Sequence, residues 1–295
     1  VESQPSAAPM GVKLAGIPSR AVSPEDLQGR VVAIDAPNLL YAFYATPMLR
    51  GQADREAALR AATRGLAARI QDLARAGARS VVVFDGPPHP LKRELLEARD
   101  AARSVPAIGP RDYAAPRAAA RALGAPTLDA PHDAEAQAAW MARHGHADLV
   151  ATTDWDALAM GAPTLLRNLS AHPSRTEGRS WSLVRSQQAL AHLDADEATL
   201  RCAVVLMGCD FFDGYPGLGP QRALKLARAA QGDLDRALRL LPEDGRHERA
   251  RAAHRLLAEP PHRDCGALRW GELDGDALAR ALAGQTAARQ TKLEG

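Results

Sequence analysis

Only three cysteines occur in the 295 residues, Cys202, Cys209 and Cys265, and they form neither a CxxC pair nor a zinc spacing. So odd and sparse a set argues against a disulfide framework and fits a reducing cytosol. No apolar run approaches the ~20 residues that span a bilayer, which argues against a membrane-embedded role. GxSxG is absent, and with it the usual framework for serine-nucleophile hydrolysis. Charge of one sign is also lacking: the net +2 argues against a basic coat for nucleic acid, and no acidic excess suggests a salt-adapted proteome. Lysine is scarce, four of the 37 basic residues. The arginine bias reflects in part a GC-rich, Ala-rich coding sequence, yet it supplies guanidinium forks that suit phosphate.

What is present is a chain long enough for one large domain or two fused ones. Val1 to Pro9 is neither basic nor apolar; it reads as a disordered leader or cloning remnant, with Met10 as the native start. Seven carboxylates stand where apolar runs stop: Asp35, Asp85, Asp133, Glu135, Asp154, Asp156 and Asp210. Three of them end β-like stretches, Val31–Ile34, Val81–Phe84 and Leu149–Thr153. In an open parallel sheet the carboxyl ends of the strands face the ligand crevice. Acids gathered there repel unless protonated or neutralised, and an all-oxygen set suits a hard divalent ion acting on phosphate.

The first two-thirds alternates strand-like and helical segments, predicting an α/β fold with a twisted, mostly parallel sheet. Strands are expected near 31–34, 80–84, 126–129, 148–152, 163–167 and 181–184, the last two as a hairpin. Helices are expected as a short segment after residue 35 and near 53–76, 91–103, 112–123 and 133–144. From about 196 the pattern is helical only, with a last helix near 275–283 and a polar tail at 284–295.

Asp154 and Asp156 lie two apart; in an extended stretch they share a side and could share a metal, or they are two solvated loop acids. Asp133 and Glu135 open a helix, where acids suit the dipole and Asp133 could simply be the cap. Lys92 and Arg99, seven apart, fall on one helical face. That pair could grip a scissile phosphate or form a solvated basic face. Gly214 to Pro220 is a glycine-rich turn feeding a helix, with Pro220 at its first position. The amides freed there can hold a phosphate, and Arg222, Lys225 and Arg228 follow on one side. Trp140 reads as core or groove lining, and His89, His132, His144 and His146 show no metal spacing.

Taken in order, these segments resemble the flap endonuclease family of structure-specific 5′ nucleases, especially its archaeal-type members. The resemblance runs from about residue 10 to 283 through Met10-Gly-Val12, Val32–Ala36, Val83–Gly86, Ala130–Ala138, Thr153–Asp156, Leu166–Leu169 and Leu206–Pro220. It implies a PIN-like nuclease core over 10–195 with a helical arch at about 91–123, and a helical DNA-binding region over 196–283 carrying a helix–two-turn–helix. It assigns the seven acids to a centre of two Mg²⁺, with Mn²⁺ an alternative, and places K⁺ at the helix–two-turn–helix. Lys92 and Arg99 match the phosphate clamp, Tyr41 a residue that stacks on the entering nucleotide, and Gly11, Gly217, Gly219, Arg222 and Lys225 DNA contacts. The implied protein is monomeric, free of membranes, and acts on branched or flapped DNA in the cytoplasm near the nucleoid, or in a nucleus.

Three departures stand out. Asp133 replaces the family's usual Glu, shortening the reach by one methylene. The segment Arg103 to Ala122 is shorter than the archaeal arch, which could shift preference toward other branched or gapped junctions. Gln290-Thr-Lys-Leu293 matches half of a sliding-clamp-binding tail. The alternatives are a related exonuclease, gap nuclease or junction resolvase, a catalytically weakened scaffold, and a PIN-type ribonuclease.

Overall fold

Successive residues of each inner strand bury on opposite faces of one sheet, as the two-residue period of a strand requires. Ala33, Val81, Val83, Val150 and Leu165 enter the core on one face. Val32, Ile34, Val82, Phe84, Leu149 and Leu166 enter the core on the other. Both faces are therefore covered by helices, the situation in which parallel strands lose their polar alternation. The computed structural model describes residues 14, 16–93, 95–96, 105–171 and 181–284.

The strands are β1 (Arg20–Ala21), β2 (Val31–Asp35), β3 (Arg79–Phe84), β4 (Thr127–Asp129), β5 (Leu149–Ala151), β6 (Thr164–Arg167) and β7 (Ser182–Arg185). They lie in the order β1-β7-β6-β5-β2-β3-β4. The five from β6 to β4 are parallel, while β7 pairs antiparallel with β6 and β1 with β7. From β2 the chain winds outward through β3 and β4, then returns to place β5 on the other side of β2. The strand order thus reverses between β2 and β5, the place where such sheets open a ligand crevice.

The helix after β2 is longer than expected, Ala36–Leu49, and continues through Pro47 in its last turns. Asp35 starts it by accepting from the Asn38 amide, and this cap lets a proline-containing first turn form. The Arg55–Arg75 helix packs beside it on the β2–β3 face. The Ala114–Ala122 helix, assigned by sequence to the end of the arch, instead lies against the Arg55–Arg75 helix and the last helix, Gly275–Leu282. Ala67, Ala119 and Ala281 form that contact, small residues that allow close helix approach.

The helical region expected from about 196 to 283 is interrupted before its last helix, Gly275–Leu282. Glu197–Met207, Pro220–Ala229, Leu234–Leu238 and His247–Ala258 form it, and residues 259–274 then return along the nuclease core. Gln137, fully buried, donates to Arg263 O at 3.0 Å and accepts from Arg263 N at 2.7 Å. The Trp270 indole donates to Ser80 O at 2.9 Å, and Gly271 N to Gly124 O at 2.9 Å. Among the described residues no helix is long and apolar enough to cross a membrane.

Candidate active site

Four neighbouring elements deliver the acids to one end of the sheet. Asp35 is the last residue of β2, Asp85 follows β3, Asp133 and Glu135 open the Ala134–Arg143 helix, and Asp154 and Asp156 follow β5. Asp210 joins them from the turn after Met207, where Cys209 pairs with Phe212. Asp154 and Asp156 do not lie in the extended stretch expected from their spacing. Asp156 begins a short helix, Asp156–Ala159, and Asp154 Oδ1 accepts from the Asp156 amide at 3.3 Å. The single turn of helix is too short to leave a periodic signature in the sequence.

Each acid has a different local anchor. Asp35 Oδ2 accepts from Thr152 Oγ1 at 3.0 Å in addition to the Asn38 bond. Asp85 Oδ1 accepts from Ala134 N at 2.7 Å. Asp85 therefore satisfies the start of the helix that Asp133 could have capped; the Asp133 side chain makes no such bond. Glu135 Oε1 accepts from Ala157 N at 2.9 Å. Asp156 is fully buried, and among the described residues neither of its oxygens has a close hydrogen-bond partner; Asp133 Oδ2 is likewise buried and unpartnered among them.

Electrostatics follow from this crowding. Burial, then the neighbouring Asp85 charge, pushes the Asp35 carboxyl up to about 7. Burial and then Asp133 push Asp85 up to about 6. Glu135 and Asp156 rise well above the usual range through burial and then the charge of Asp154; Asp154 rises through burial and then Asp210. All of these shifts express one cause: negative charge confined in a low-dielectric crevice.

Lys92 is a cation within the cluster. Its Nζ lies 2.5 Å from Asp133 Oδ1 and 2.7 Å from Asp210 Oδ2, with the side chain 14% exposed. Burial alone would lower its pKa, but the charges of Asp210 and Asp133 outweigh that and push it well up. Lys92 thus lines the crevice and there bridges two of the acids. Among the described residues no group of three Asp, Glu, His or Cys side chains already stands ready to hold an ion. The oxygen-only donors, with buried carboxylate oxygens that meet no close partner among the described residues, nevertheless fit a hard divalent cation.

A cleft of about 380 Å³ opens over Asp85, Lys92, Asp133 and Asp210, with Tyr41 and Tyr113 in its walls. Tyr41 is 38% exposed, so it is a wall residue and not core packing. Arg222 and Lys225 are exposed on the Pro220–Ala229 helix. Arg228 turns back onto the chain and donates to Leu193 O and Asp194 O, leaving the expected row of three cations with two. Gly217 has φ +80, Gly219 caps the helix with φ −73, and a Cβ at either would meet open space. Gly11, Arg99 and the 290–293 tail lie outside the described residues.

Sequence reasoning passed over several neighbours of the acids. Tyr113 is buried beside Phe84, ring centres 5.2 Å apart, and burial followed by the charges of Asp85 and Asp35 raises its phenol. Asn38 Oδ1 accepts from Thr153 N at 3.1 Å and Thr153 Oγ1 at 3.0 Å, tying the β2 and β5 ends together. Its place three residues after a strand-ending acid was the available signal. Trp140 lies among His144, His146 and His262, ring centres 4.6, 5.3 and 4.2 Å away, on the path of the returning 259–274 segment.

A mostly parallel sheet bearing acids at its carboxyl ends, with a helical region beside them, has the architecture of a PIN-like 5′ nuclease, and the comparisons with known proteins agree. The XPG N-terminal domain family matches residues 11–105 and the XPG I-region matches residues 124–210. Flap endonuclease 1 of Pyrobaculum arsenaticum is 38% identical over 248 residues, covering 70% of each chain. That of Methanopyrus kandleri is 32% identical over 292 residues, 87% of this chain and 84% of the relative. The solved flap endonuclease-1 from Methanococcus jannaschii superposes with a TM-score of 0.74 at 26% identity, over 92% of this chain and 91% of the other. The chain belongs to the flap endonuclease 1 family, metal-dependent, structure-specific 5′ nucleases that cleave DNA in replication and repair.

Proposed function

We propose that the chain hydrolyses DNA phosphodiesters beside single-strand/double-strand junctions that carry a 5′ flap, using two Mg²⁺, or Mn²⁺ in their place. Asp35, Asp85, Asp133, Glu135, Asp154, Asp156 and Asp210 would hold the ions. The observation that carries this reading is Asp156: a fully buried carboxylate among other acids, whose two oxygens meet no close hydrogen-bond partner among the described residues. An uncompensated buried charge costs several kcal/mol, so such a group persists where a bound cation repays it. Bound divalent ions would offset the acids' charge and supply Lewis acidity toward the scissile phosphate.

The chain's own groups do the rest. Lys92, once released from Asp133 and Asp210, stands in the same cleft as an entering phosphate. With Arg99 it would stabilise charge developing in the transition state. Asp133, one methylene short of the family's Glu, reaches Lys92 directly and would act on an ion through water. Tyr41 at the cleft wall would stack on the entering nucleotide. Gly217, Gly219, Arg222 and Lys225 would seat a duplex through its phosphates, with K⁺ at that turn, so binding follows structure and salt more than base sequence. Gly11 would lie close to the substrate and the 290–293 tail would engage a sliding clamp; the protein would act as a monomer at the nucleoid or in a nucleus.

A gap- or junction-cleaving preference within the same family is favoured by one observation: Ala114–Ala122 lies down on the core, which shortens the segment available to form an arch. Labelled 5′-flap, gapped, blunt and four-way DNA, each with Mg²⁺ and with chelator, separates these readings. Flap cleavage that needs Mg²⁺ and disappears in Asp154→Ala is the expected result. Cleavage that survives Asp154→Ala would sink the assignment of the acids.

A further inference from the structure

Arg167 closes β6, which runs parallel to β5 and so ends on the same side of the sheet as the acids. Its guanidinium carbon lies 3.6 Å from the centre of the Trp155 ring. Trp155 is the residue between Asp154 and Asp156, and it is the cap of the Asp156–Ala159 turn. Among the described residues Arg167 makes no ion pair, and its Nη1 is buried without a hydrogen-bond partner. Burial lowers its pKa, while the charges of Asp154 and then Glu135 oppose that. The guanidinium is held by an aromatic face and by the field of two acids, without touching either. Two planar groups stacked this closely restrict each other's rotation, and here one of them is the backbone neighbour of both acids.

We propose that Arg167 is a positioning residue of the nuclease reaction: acting through the Trp155 ring, it fixes the Asp154–Trp155–Asp156 turn in the orientation the metal centre requires. This rests on the reading of Asp154 and Asp156 as working acids of that centre. Supports of this kind typically change metal affinity or activity by about 10–100-fold when removed. Electrostatics and positioning predict opposite signs for metal binding. Deleting a nearby positive charge alone would tighten the hold of the acids on a cation, whereas loosening the turn weakens it.

The test uses the full chain. Mn²⁺ is titrated calorimetrically into wild type, Arg167→Met, Arg167→Lys, Trp155→Leu and the Arg167→Met/Trp155→Leu double variant, without DNA. Steady-state cleavage of a 5′-flap DNA gives kcat and KM for the same set, and circular dichroism checks that each variant folds. The expected result is Mn²⁺ binding weakened about tenfold and kcat lowered about 10–100-fold with KM unchanged. Arg167→Lys, which keeps charge without the plane, should recover only part, and the double variant should be no worse than the worse single one. Should Arg167→Met fail to fold, Arg167→Lys and Trp155→Leu carry the same comparison. Tighter Mn²⁺ binding, a raised KM at constant kcat, additive losses, or wild-type behaviour would each overturn the proposal. Absence of Mg²⁺-dependent cleavage in wild type, or its survival in Asp154→Ala, would instead defeat the underlying reading.

Discussion

The two sides of the acid crevice hold buried carboxylates on different terms. On the β2–β3 side, Asp35 accepts from a backbone amide and a threonine hydroxyl, and Asp85 accepts from the amide that opens the Ala134–Arg143 helix. These acids serve as helix starts as well as site residues, and their carboxyls rise only to about 7 and about 6. On the β5 side, neither Asp156 oxygen makes a close hydrogen bond among the described residues; the nearby Asp210 amide only partly offsets burial and the charges of Asp154 and Asp210, and the carboxyl rises well above the ordinary range. Part of the cluster is therefore built into the fold, and part depends on whatever cation the crevice receives. Lys92 belongs with the second group, since it neutralises Asp133 and Asp210 by direct contact.

The largest test of this contrast replaces one acid from each side. Asp156→Asn should lower kcat by about a thousand-fold, roughly 4 kcal/mol of transition-state stabilisation. It should also raise the Tm of chelator-treated protein at pH 8, because an amide there needs neither the proton nor the cation that the buried, crowded carboxyl requires. Asp35→Ala should be as inactive, yet at pH 5.5, where the Asp35 carboxyl is mostly protonated and no buried charge is relieved, it should lower Tm, since a lost helix cap costs about 1 kcal/mol. Thermal melts and single-turnover cleavage of flap DNA read both effects. Tm changes of the same sign in the two variants would break the distinction.

Much of this was legible in the sequence where the signal is local. The inner strands show themselves by apolar runs that end in acids, and their bounds shift by only a residue or two. β1 is invisible because two exposed residues, Arg20 and Ala21, gain strand geometry from pairing with Leu183 and Ser182. The returning segment 259–274 has no period to read; it is held by Gln137, Ser80 and Gly124, each far away in the chain. The acids were legible as a set, but their anchors were not. Which carboxylate caps which helix depends on elements that meet only after folding, as Asp85 and Ala134 do. Arg167 looks like any charge at a strand end until the Trp155 ring is seen beneath it.

An intermediate effect concerns pH. Asp35 and Asp85 carry folded-state values of about 7 and about 6, above the 3.8 of the free side chain. Between pH 4 and 7 the folded chain consequently binds more protons than the unfolded one, so these groups make stability fall as pH rises. Their contribution is fully present below the unfolded value and lost as pH climbs through the folded ones. Protein treated with chelator should melt higher at pH 5.5 than at pH 8 on this account. Mg²⁺ should then raise Tm at pH 8 more than at pH 5.5, with a ceiling near 2.7 kcal/mol at about a hundredfold over its Kd. Equal Mg²⁺ shifts at the two pH values would mean that the built-in acids do not share in ion binding.

The smallest effect distinguishes a glycine demanded by the fold from one left open to a partner. Gly214 has φ +77, and a Cβ there would lie 2.6 Å from Gly208 N and Met207 C. Gly219, five residues on, has an ordinary φ of −73 and open space around its would-be Cβ. Gly214→Ala should therefore destabilise by about 1–3 kcal/mol, as strain at a left-handed position does. Gly219→Ala should leave Tm unchanged, because neither backbone nor packing asks for glycine. If the helix start at Pro220 receives a backbone phosphate, the added methyl stands where that phosphate must approach, and duplex affinity falls a few-fold. Lys225→Ala should weaken binding on any sequence and reduce the salt slope of log Kd by about one. Fluorescence anisotropy with a plain duplex across a salt series reads both variants. Gly219→Ala and Lys225→Ala binding as wild type would move the duplex grip off this turn, and the space beside Gly219 would then be incidental.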